Sequence, residues 1–376
     1  MHATLDGGTS QQLIEPPQAD ALPSNVEHSQ TAQPRTLIPG VTVLIPAYNE
    51  EASIADTVRS VQAQTTQAVE IIVVDDCSKD RTGQIARALG ATVLRPPMNQ
   101  GSKATALNFG MQAVRTEMVL TIDADTTLES TAIEHLLPAM ADPTTGAASG
   151  FVVPRHVRTI WERGRYIEYL YAFAFYKPIQ DYYRKPMIAS GCFAIYRTQD
   201  ILDLGGWSHR TVGEDMDLTW TLYEHGKSVR YAADAVCYPI EPHNFDFLRK
   251  QLTRWSHGFV QCMRVHWGSL WSVPYLRMIV ATALWDATIA AIAFFVAIPL
   301  LAIFVHPLFI LLYLADLPGI LIPVAMEASR RKETAKALAC IPAFYVLRFV
   351  NFYFVLKAFW NEFVVGKKLR TFEKGH

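Results

Sequence analysis

Four short apolar runs, Val41–Ile45, Val69–Val74, Ala91–Leu94 and Met118–Ile122, alternate with stretches of helical character that begin near Glu50, Asp80 and Lys103. Strands and helices in strict alternation pair most simply through crossover connections, so this order predicts a βαβ array with a mainly parallel sheet flanked by helices, an α/β fold. Polar residues collect at matching strand ends: Pro46 closes the first run, and Asn49, Asp75, Asp76 and Asp125 each follow a strand. Taken singly, each is a helix N-cap or turn residue. Together they line one sheet edge with carboxylates and amides, at the place where open α/β folds hold ligands. The fourth run ends in Asp123-Ala124-Asp125. Two carboxylates one residue apart suit a hard divalent cation and the phosphates it accompanies, and they suit a plain turn equally well.

Composition narrows the partners. Lys and Arg number 34 against 35 Asp and Glu, which gives no global field to recruit nucleic acid. The five cysteines, at 77, 192, 237, 262 and 340, are odd in number and share no Cys-x-x-Cys spacing, which favours a reducing cytoplasmic setting over a disulfide framework or a zinc site. Residues 1–38 are rich in Gln, Ser, Thr and Pro and carry too little apolar surface to offset ordering entropy. They also lack the basic region and apolar stretch of a signal peptide, so the following domain is expected to stay on the cytoplasmic side.

Beyond the four runs, Gly150–Arg155 reads as a further strand, and Trp161–Lys185 is dense in aromatics, as a core or a bilayer interface would be. A small-residue segment, Ser190-Gly191-Cys192-Phe193, lies within Ile188–Arg197, and Gly191 would allow close backbone approach. Gly213-Glu214-Asp215 opens a helix to about His225, where the two acids either favour the helix dipole or supply a general base. In Gln251-Leu252-Thr253-Arg254-Trp255, Gln251, Arg254 and Trp255 share one helical face. Alone, an Arg-Trp pair on an amphipathic helix also serves as a membrane anchor.

Pro46-Ala47-Tyr48-Asn49-Glu50, Val73-Val74-Asp75-Asp76-Cys77-Ser78-Lys79-Asp80, Lys103-Ala104-Thr105-Ala106-Leu107-Asn108 and Asp123-Ala124-Asp125 resemble the successive nucleotide-sugar motifs of family 2 glycosyltransferases. Gly213-Glu214-Asp215 and Gln-x-x-Arg-Trp at 251–255 extend the resemblance over roughly residues 41–260, the latter being associated with processive members such as cellulose, chitin and hyaluronan synthases. The resemblance implies a GT-A fold and a UDP-sugar donor. It places Pro46, Tyr48, Glu50 and Asp76 at the nucleoside, with Asp75 supporting their loop and Lys103 near the base or diphosphate. Asp125, helped by Asp123, would hold Mg²⁺ or Mn²⁺ against the diphosphate, Asp123 also ordering the donor ribose. Gly191 and Cys192 would lie by the acceptor, and Asp215, beside Glu214, would be the general base of an inverting transfer. Arg254 would neutralise the leaving diphosphate, and Trp255 would stack under the acceptor sugar, with Gln251 on the same face.

The resulting division is 39–244 for the GT-A domain, 245–274 for interfacial helices, 275–365 for a transmembrane region and 366–376 for a basic tail. Met278–Ile298 and Leu300–Met326 are each long enough to span a bilayer, separated by a break at Pro299. Arg330-Arg331-Lys332 and Lys336 would put the next loop in the cytoplasm beside the catalytic domain. Ala337–Val365, interrupted by Arg348, Asn351 and Lys357, either spans or lies at the interface. Asp286 and Asp316 sit in apolar stretches, where at least one is expected to pair with Arg348 or face a polar cavity. Processive relatives commonly carry a helix before the catalytic domain, which this sequence lacks, so a secretion channel would need homo-oligomerisation or a partner. The expected activity is a membrane-attached, metal-dependent transfer of sugar to a carbohydrate, lipid or protein hydroxyl, either building a polysaccharide or adding one sugar. A nucleotidyltransferase would share the sheet and the acidic pair but would have no use for the two later motifs.

Overall fold

A computed structural model describes residues 36–285, 289–290, 292–315, 317–366 and 369. Asp286, Asp316, Lys367, Lys368, Arg370 and the first 35 residues lie outside them, and with them the expectations about the two buried acids, the tail and the N-terminal segment. The strands are β1 (Ile38–Ala47), β2 (Glu70–Asp75), β3 (Thr92–Leu94), β4 (Thr116–Ile122), β5 (Thr127–Leu128), β6 (Thr145–Val152), β7 (Phe193–Arg197) and β8 (Ser228–Tyr238). Helices α1 (Ile54–Gln62), α2 (Thr82–Ala88) and α3 (Lys103–Met111) join the first four strands. Between the later strands lie α4 (Ala132–Leu136), α5 (Ile160–Tyr171), α6 (Lys177–Tyr182), α7 (Thr198–Asp203) and α8 (Glu214–Glu224). After the sheet come α9 (Phe245–Val265), α10 (Ser269–Ser272), α11 (Pro274–Trp285), α12 (Ile298–Phe304), α13 (Leu317–Arg330) and α14 (Thr334–Phe359).

Among the described residues the strands form one eight-stranded sheet in the order β3-β2-β1-β4-β7-β6-β8-β5. The half built from β3, β2, β1 and β4 is wholly parallel, as their alternation with helices predicts. The second half is mixed: β6 and β8 are parallel, while β7 runs antiparallel to both its neighbours and β5 antiparallel to β8. The reversal of β7 decides what its leading segment meets. Its first residue, Phe193, lies opposite Ile122, the last of β4, so the segment leading into β7 arrives at the edge where β4 delivers its acids.

Each central strand is buried on both faces. Val43 and Ile45 of β1 join the core under α1 with Leu120 and Ile122, whereas Leu44 and Val119 join the opposite core with Leu107, Tyr196, Trp207 and Trp220. This alternation is the period-two geometry of a strand covered on both sides.

The strand expected at Gly150–Arg155 begins earlier, at Thr145. Its run Thr145-Gly-Ala-Ala-Ser-Gly has no β-branched signature after the first residue, because the space is set by neighbours. A Cβ on Gly150 would drive into the Ala235 carbonyl oxygen and the Phe193 ring. The aromatic stretch also divides: Tyr166 and Phe173 are buried, whereas Tyr176, Tyr182 and Tyr183 are exposed.

Pro299 does not break the chain. An apolar helix runs from Ala293 to Phe304, and Pro299 falls in the first turn of α12 behind a π-helical turn, Ala293–Ala297. The helix thus continues through a proline that lacks the N–H for a regular bond, and the π-helical turn just before it takes up the irregularity. Two runs, Pro307–Arg330 and Thr334–Val365, are long and apolar enough to cross a membrane. The segment with most polar interruptions is thus the longest helix. Helix α14 packs on α5, where a Cβ on Gly164 would come 2.8 Å from Leu347 Cβ.

Filling the space beside β8 forces backbone movement. Gly150→Val is therefore expected to destabilise the sheet by about 1–3 kcal/mol or more, read as a lower denaturation midpoint, whereas Gly90→Ala, at an open position, tests only its positive φ.

Candidate active site

The loops after β1 and β2 are laced together. Asn49, at φ 53°, donates its N–H to Ser78 Oγ (3.0 Å) and accepts from the Lys79 N–H (2.8 Å). Glu50 is buried; its N–H donates to Thr82 Oγ1 (2.7 Å) and its carboxylate accepts from Ser53 Oγ (2.7 Å). Pro46 and Tyr48, half-buried, flank the turn. Asp75 is almost fully enclosed, accepts from the Ser78 N–H (2.9 Å) and pairs with Arg95, so it holds the loop from below. Asp76 accepts from the Gln100 N–H (2.7 Å). Burial raises its carboxyl pKa; the Gln100 bond opposes the rise and the charge of Asp75 adds to it.

The backbone of a single residue, Gly191, joins the middle of the site. Lys103 opens α3 behind its N-cap, Ser102, and its Nζ donates to Asp123 Oδ1 and to the Gly191 carbonyl (3.0 Å). The N–H of the same Gly191 donates to Asp215 Oδ2 (2.9 Å), whose other oxygen accepts from the Met216 N–H (2.9 Å). A Cβ at 191 would stand 2.7 Å from Asp215 Oδ2, so glycine is required by the closeness of the acid. Cys192, half-buried, follows, and its carbonyl accepts from the Asp123 N–H (3.4 Å). Burial works against the charge of Lys103, but Asp123, Glu214 and Asp215 outweigh it and hold the amine protonated above its ordinary range. Glu214 is buried and its pKa is raised, by burial first and by Asp215 second, with Lys103 and Arg254 opposing. A cavity of about 600 Å³ opens beside this group, lined among others by Lys103, Glu214, Arg210, Gln261, Arg264 and Glu362.

The carboxylates fit a divalent cation that shares its shell with phosphates. Asp123 commits one oxygen to Lys103, and Asp125, half-buried beside it, accepts at Oδ1 from Thr126 Oγ1 (3.2 Å). Arg155 braces the turn by donating to the Asp125 carbonyl (3.1 Å). Among the described residues no three His, Cys, Asp or Glu converge as a closed cage. One or two carboxylates completed by substrate phosphates is the usual arrangement for Mg²⁺.

The Gln251, Arg254 and Trp255 face of α9 divides its work. Gln251 accepts from the Arg165 guanidinium (2.9 Å) and donates to Glu241 (3.3 Å), and the same guanidinium lies 4.5 Å from the Trp255 ring centre. Arg254 is the member whose charge reaches Glu214. Arg165, with Glu168, Tyr169 and Glu241, is a buried network that sequence reasoning missed. Its signal was an ionisable residue inside an aromatic helix, where burial demands a partner. Lys177 was also missed. Buried, it donates to the Ile188 carbonyl; burial pushes its pKa down to about 8, against the charge of Asp215.

Residues 42–205 match the model for glycosyl transferase family 2. The chain is 28% identical over 223 residues to the poly-beta-1,6-N-acetyl-D-glucosamine synthase of Staphylococcus aureus (strain COL), covering 58% of this chain and 54% of that protein. It is 32% identical over 233 residues to YdaM of Bacillus subtilis (strain 168), named as a probable glycosyltransferase, covering 59% of this chain and 55% of that one. The chain thus spans about half the length of the curated relatives it matches. Among solved structures, the mannosyltransferase PcManGT from Pyrobaculum calidifontis, in complex with GDP-Man and Mn²⁺, aligns with a TM-score of 0.52 at 21% identity, over 85% of this chain and 91% of its own. The fold is of the GT-A type, and residues 42–205 are the part of the chain that is similar to glycosyl transferase family 2.

The rear of α8 is fixed by a second ionic cluster. His266 is buried, with Nε2 2.6 Å from Asp217 and Nδ1 2.6 Å from Glu224, and Arg210 pairs with Asp217 at 2.7 Å. Burial opposes charge on the ring, but the two acids outweigh it and raise the His266 pKa above its ordinary 6.5. A raised histidine pKa stabilises the fold fully below the unfolded value and loses that contribution as pH climbs through the folded value. The stability difference between wild type and His266→Gln should therefore be largest in mildly acidic buffer. It should shrink as pH rises beyond the ordinary histidine range, which denaturation midpoints across pH would show.

Proposed function

We propose that this protein is a membrane-attached, inverting glycosyltransferase that moves a sugar from a UDP-sugar to a hydroxyl acceptor and so extends a β-linked polysaccharide. The observation that carries the reading is the backbone of Gly191, whose carbonyl accepts from the donor-side Lys103 and whose N–H donates to the acid Asp215. The loops bearing Tyr48, Glu50 and Asp76 receive the nucleoside, with Asp75 beneath them. Lys103 and Arg254 supply positive charge to the diphosphate. Asp215 has both oxygens oriented by backbone N–H groups, and each keeps a lone pair for an acceptor proton. The acceptor oxygen attacks the anomeric carbon as Asp215 takes its proton; the bond from that carbon to the phosphate oxygen breaks, and UDP leaves. Attack opposite the leaving group converts an α-linked donor into a β-linkage. Mg²⁺ or Mn²⁺, held by Asp125 with Asp123 beside it, would supply Lewis-acid charge to the departing diphosphate.

The synthase among the relatives makes N-acetylglucosamine the first donor sugar to test. Membrane attachment is supported by the two long apolar helices, and orientation by the loop between them. Arg330, the last residue of α13, pairs with Asp234 of β8 at 2.5 Å, and the guanidinium of Arg331, which opens that loop, lies 4.1 Å from the Phe151 ring centre. The basic loop and the catalytic domain therefore share a side, and the positive-inside tendency makes it the cytoplasmic one. Only two such helices among the described residues favour a second reading, transfer of a single sugar, which product size separates from polymerisation.

Asp215→Asn should lower transfer by about 10²- to 10⁴-fold while UDP binding persists; substantial turnover would refute the assignment of the base. Chelation should silence the enzyme in membranes, with Mg²⁺ or Mn²⁺ restoring it. Asp125→Asn should raise the metal concentration needed for half-maximal rate, and full activity in chelator would exclude a metal role.

A further inference from the structure

We propose that Glu362, at the far end of the last apolar helix, is a positioning residue for the Gly213-Glu214-Asp215 turn, acting through Gln261 of α9. The inference rests on the proposed role of that turn. Glu362 lies on a π-helical turn, Trp360–Val365, that continues α14, and its side chain is only 1% exposed. One of its oxygens, Oε1, accepts from Gln261 Nε2 (2.8 Å) and lies 2.9 Å from His257 Nδ1. His257 and Gln261 are four residues apart, so one carboxylate clamps one face of α9.

The other end of Gln261 reaches the site. Its Oε1 accepts from the backbone N–H of Val212 (3.0 Å), the residue before Gly213. The direction of this amide is set by chemistry: a carboxylate can only accept and a backbone N–H can only donate, so a flipped amide loses both bonds. Between the two clamped residues lies Gly258, and a Cβ there would stand 3.1 Å from Gly213 Cα. The helix therefore meets the turn backbone against backbone, which leaves no side chain to absorb a rotation of α9. Arg254, one turn back on the same face, is the cation that Glu214 senses. Rotating α9 would carry Arg254, Gly258 and Gln261 away from the turn together, and Glu362 is the group that fixes the rotation. The same carboxylate lines the cavity shared by Lys103 and Glu214, with Arg264 3.8 Å from its second oxygen.

The test uses the full chain in detergent and two independent readouts. Gln261→Met keeps the length of the side chain and removes all three of its bonds, to Val212, Glu362 and the Leu369 carbonyl. It is expected to lower kcat about tenfold to a hundredfold, the scale of a small misplacement remote from the reacting atoms, while KM for the UDP-sugar stays near that of wild type. Amide hydrogen exchange at residues 212–216 should accelerate in the same variant. Glu362→Ala should reproduce both effects should the Met variant fail to accumulate, and Glu362→Gln, which can still accept from Gln261, should recover most of the turnover. Unchanged exchange at 212–216 in Gln261→Met and Glu362→Ala would overturn the proposal. So would a loss confined to KM. A wild-type chain that transfers no sugar would instead defeat the proposed reaction, and the exchange measurement would still decide the positioning role.

Discussion

The backbone of Gly191 is the joint on which the site depends. Its carbonyl faces Lys103 and its N–H faces Asp215, so the start of α3 and the start of α8 are tied through two adjacent peptide planes that meet at one Cα. The joint exists because β7 runs against its neighbours: a parallel strand at that position would begin at the opposite edge and bring residues 190–192 nowhere near Asp123. The charges are mutually dependent as well. Lys103 is the near cation for Asp123, Glu214 and Asp215, and without it three carboxylates would face one another in a partly buried space. Lys103, Gly191 and Asp215 thus form a single electrostatic unit.

Behind this unit stands Arg165, 1% exposed, which reaches Glu168, Glu241, Gln251 and the face of Trp255. Removing one partner of a buried ion pair costs roughly 3–5 kcal/mol, a large share of the about 5–15 kcal/mol that holds a domain folded. The network spans α5, the segment after β8 and α9, and through Asn351, which donates to Glu168 (2.8 Å), it includes α14. The orientation of Gln251 and Trp255 is thereby set from inside the protein.

The donor half was legible because its signals are local. Each apolar run ended where a polar loop began, and burial on both faces of a parallel sheet preserved the runs as continuous stretches. Asp75, Asp76, Lys103 and Asp123 fall at one edge because the strands that carry them point the same way. What was not legible depends on pairing across long separations. The start of β6 was hidden because the space at its Gly146 is set by Asp200, Leu222 and Lys227, 54 and more residues away in the chain. Arg165 and Lys177 showed only as charges within an aromatic stretch and Glu362 as one within an apolar run, since most of the partners that make their burial tolerable come from other elements. Gln-x-x-Arg-Trp was visible as a motif, but nothing in its spacing said that two of its members answer to Arg165 and one to Glu214.

The polar residues of the last apolar segment follow a rule that hydropathy alone obscures. Ala337, Cys340, Phe344, Leu347, Phe354, Ala358 and Glu362 are buried, and Asn351 is half-buried and bonded to Glu168. These positions recur at three- and four-residue intervals, which on a helix is one continuous face. Val346, Tyr353, Leu356, Trp360, Phe363 and Val364, exposed and apolar, lie off that face. Asn351 and Glu362 therefore occupy the side that the catalytic domain covers, and an ionised residue that would cost about 2.5–3.5 kcal/mol against lipid is satisfied against protein instead. With Glu333 at its start bonded to Tyr166 and Glu362 at its end bonded to His257, this helix lies along the catalytic domain, docked at both ends rather than carrying one end away across a bilayer. One side of it is exposed and apolar, and the other carries Asn351 to the Arg165 network and Glu362 to Gln261, so the proposed membrane contact and the proposed setting of the Gly213 turn fall to opposite faces of one helix.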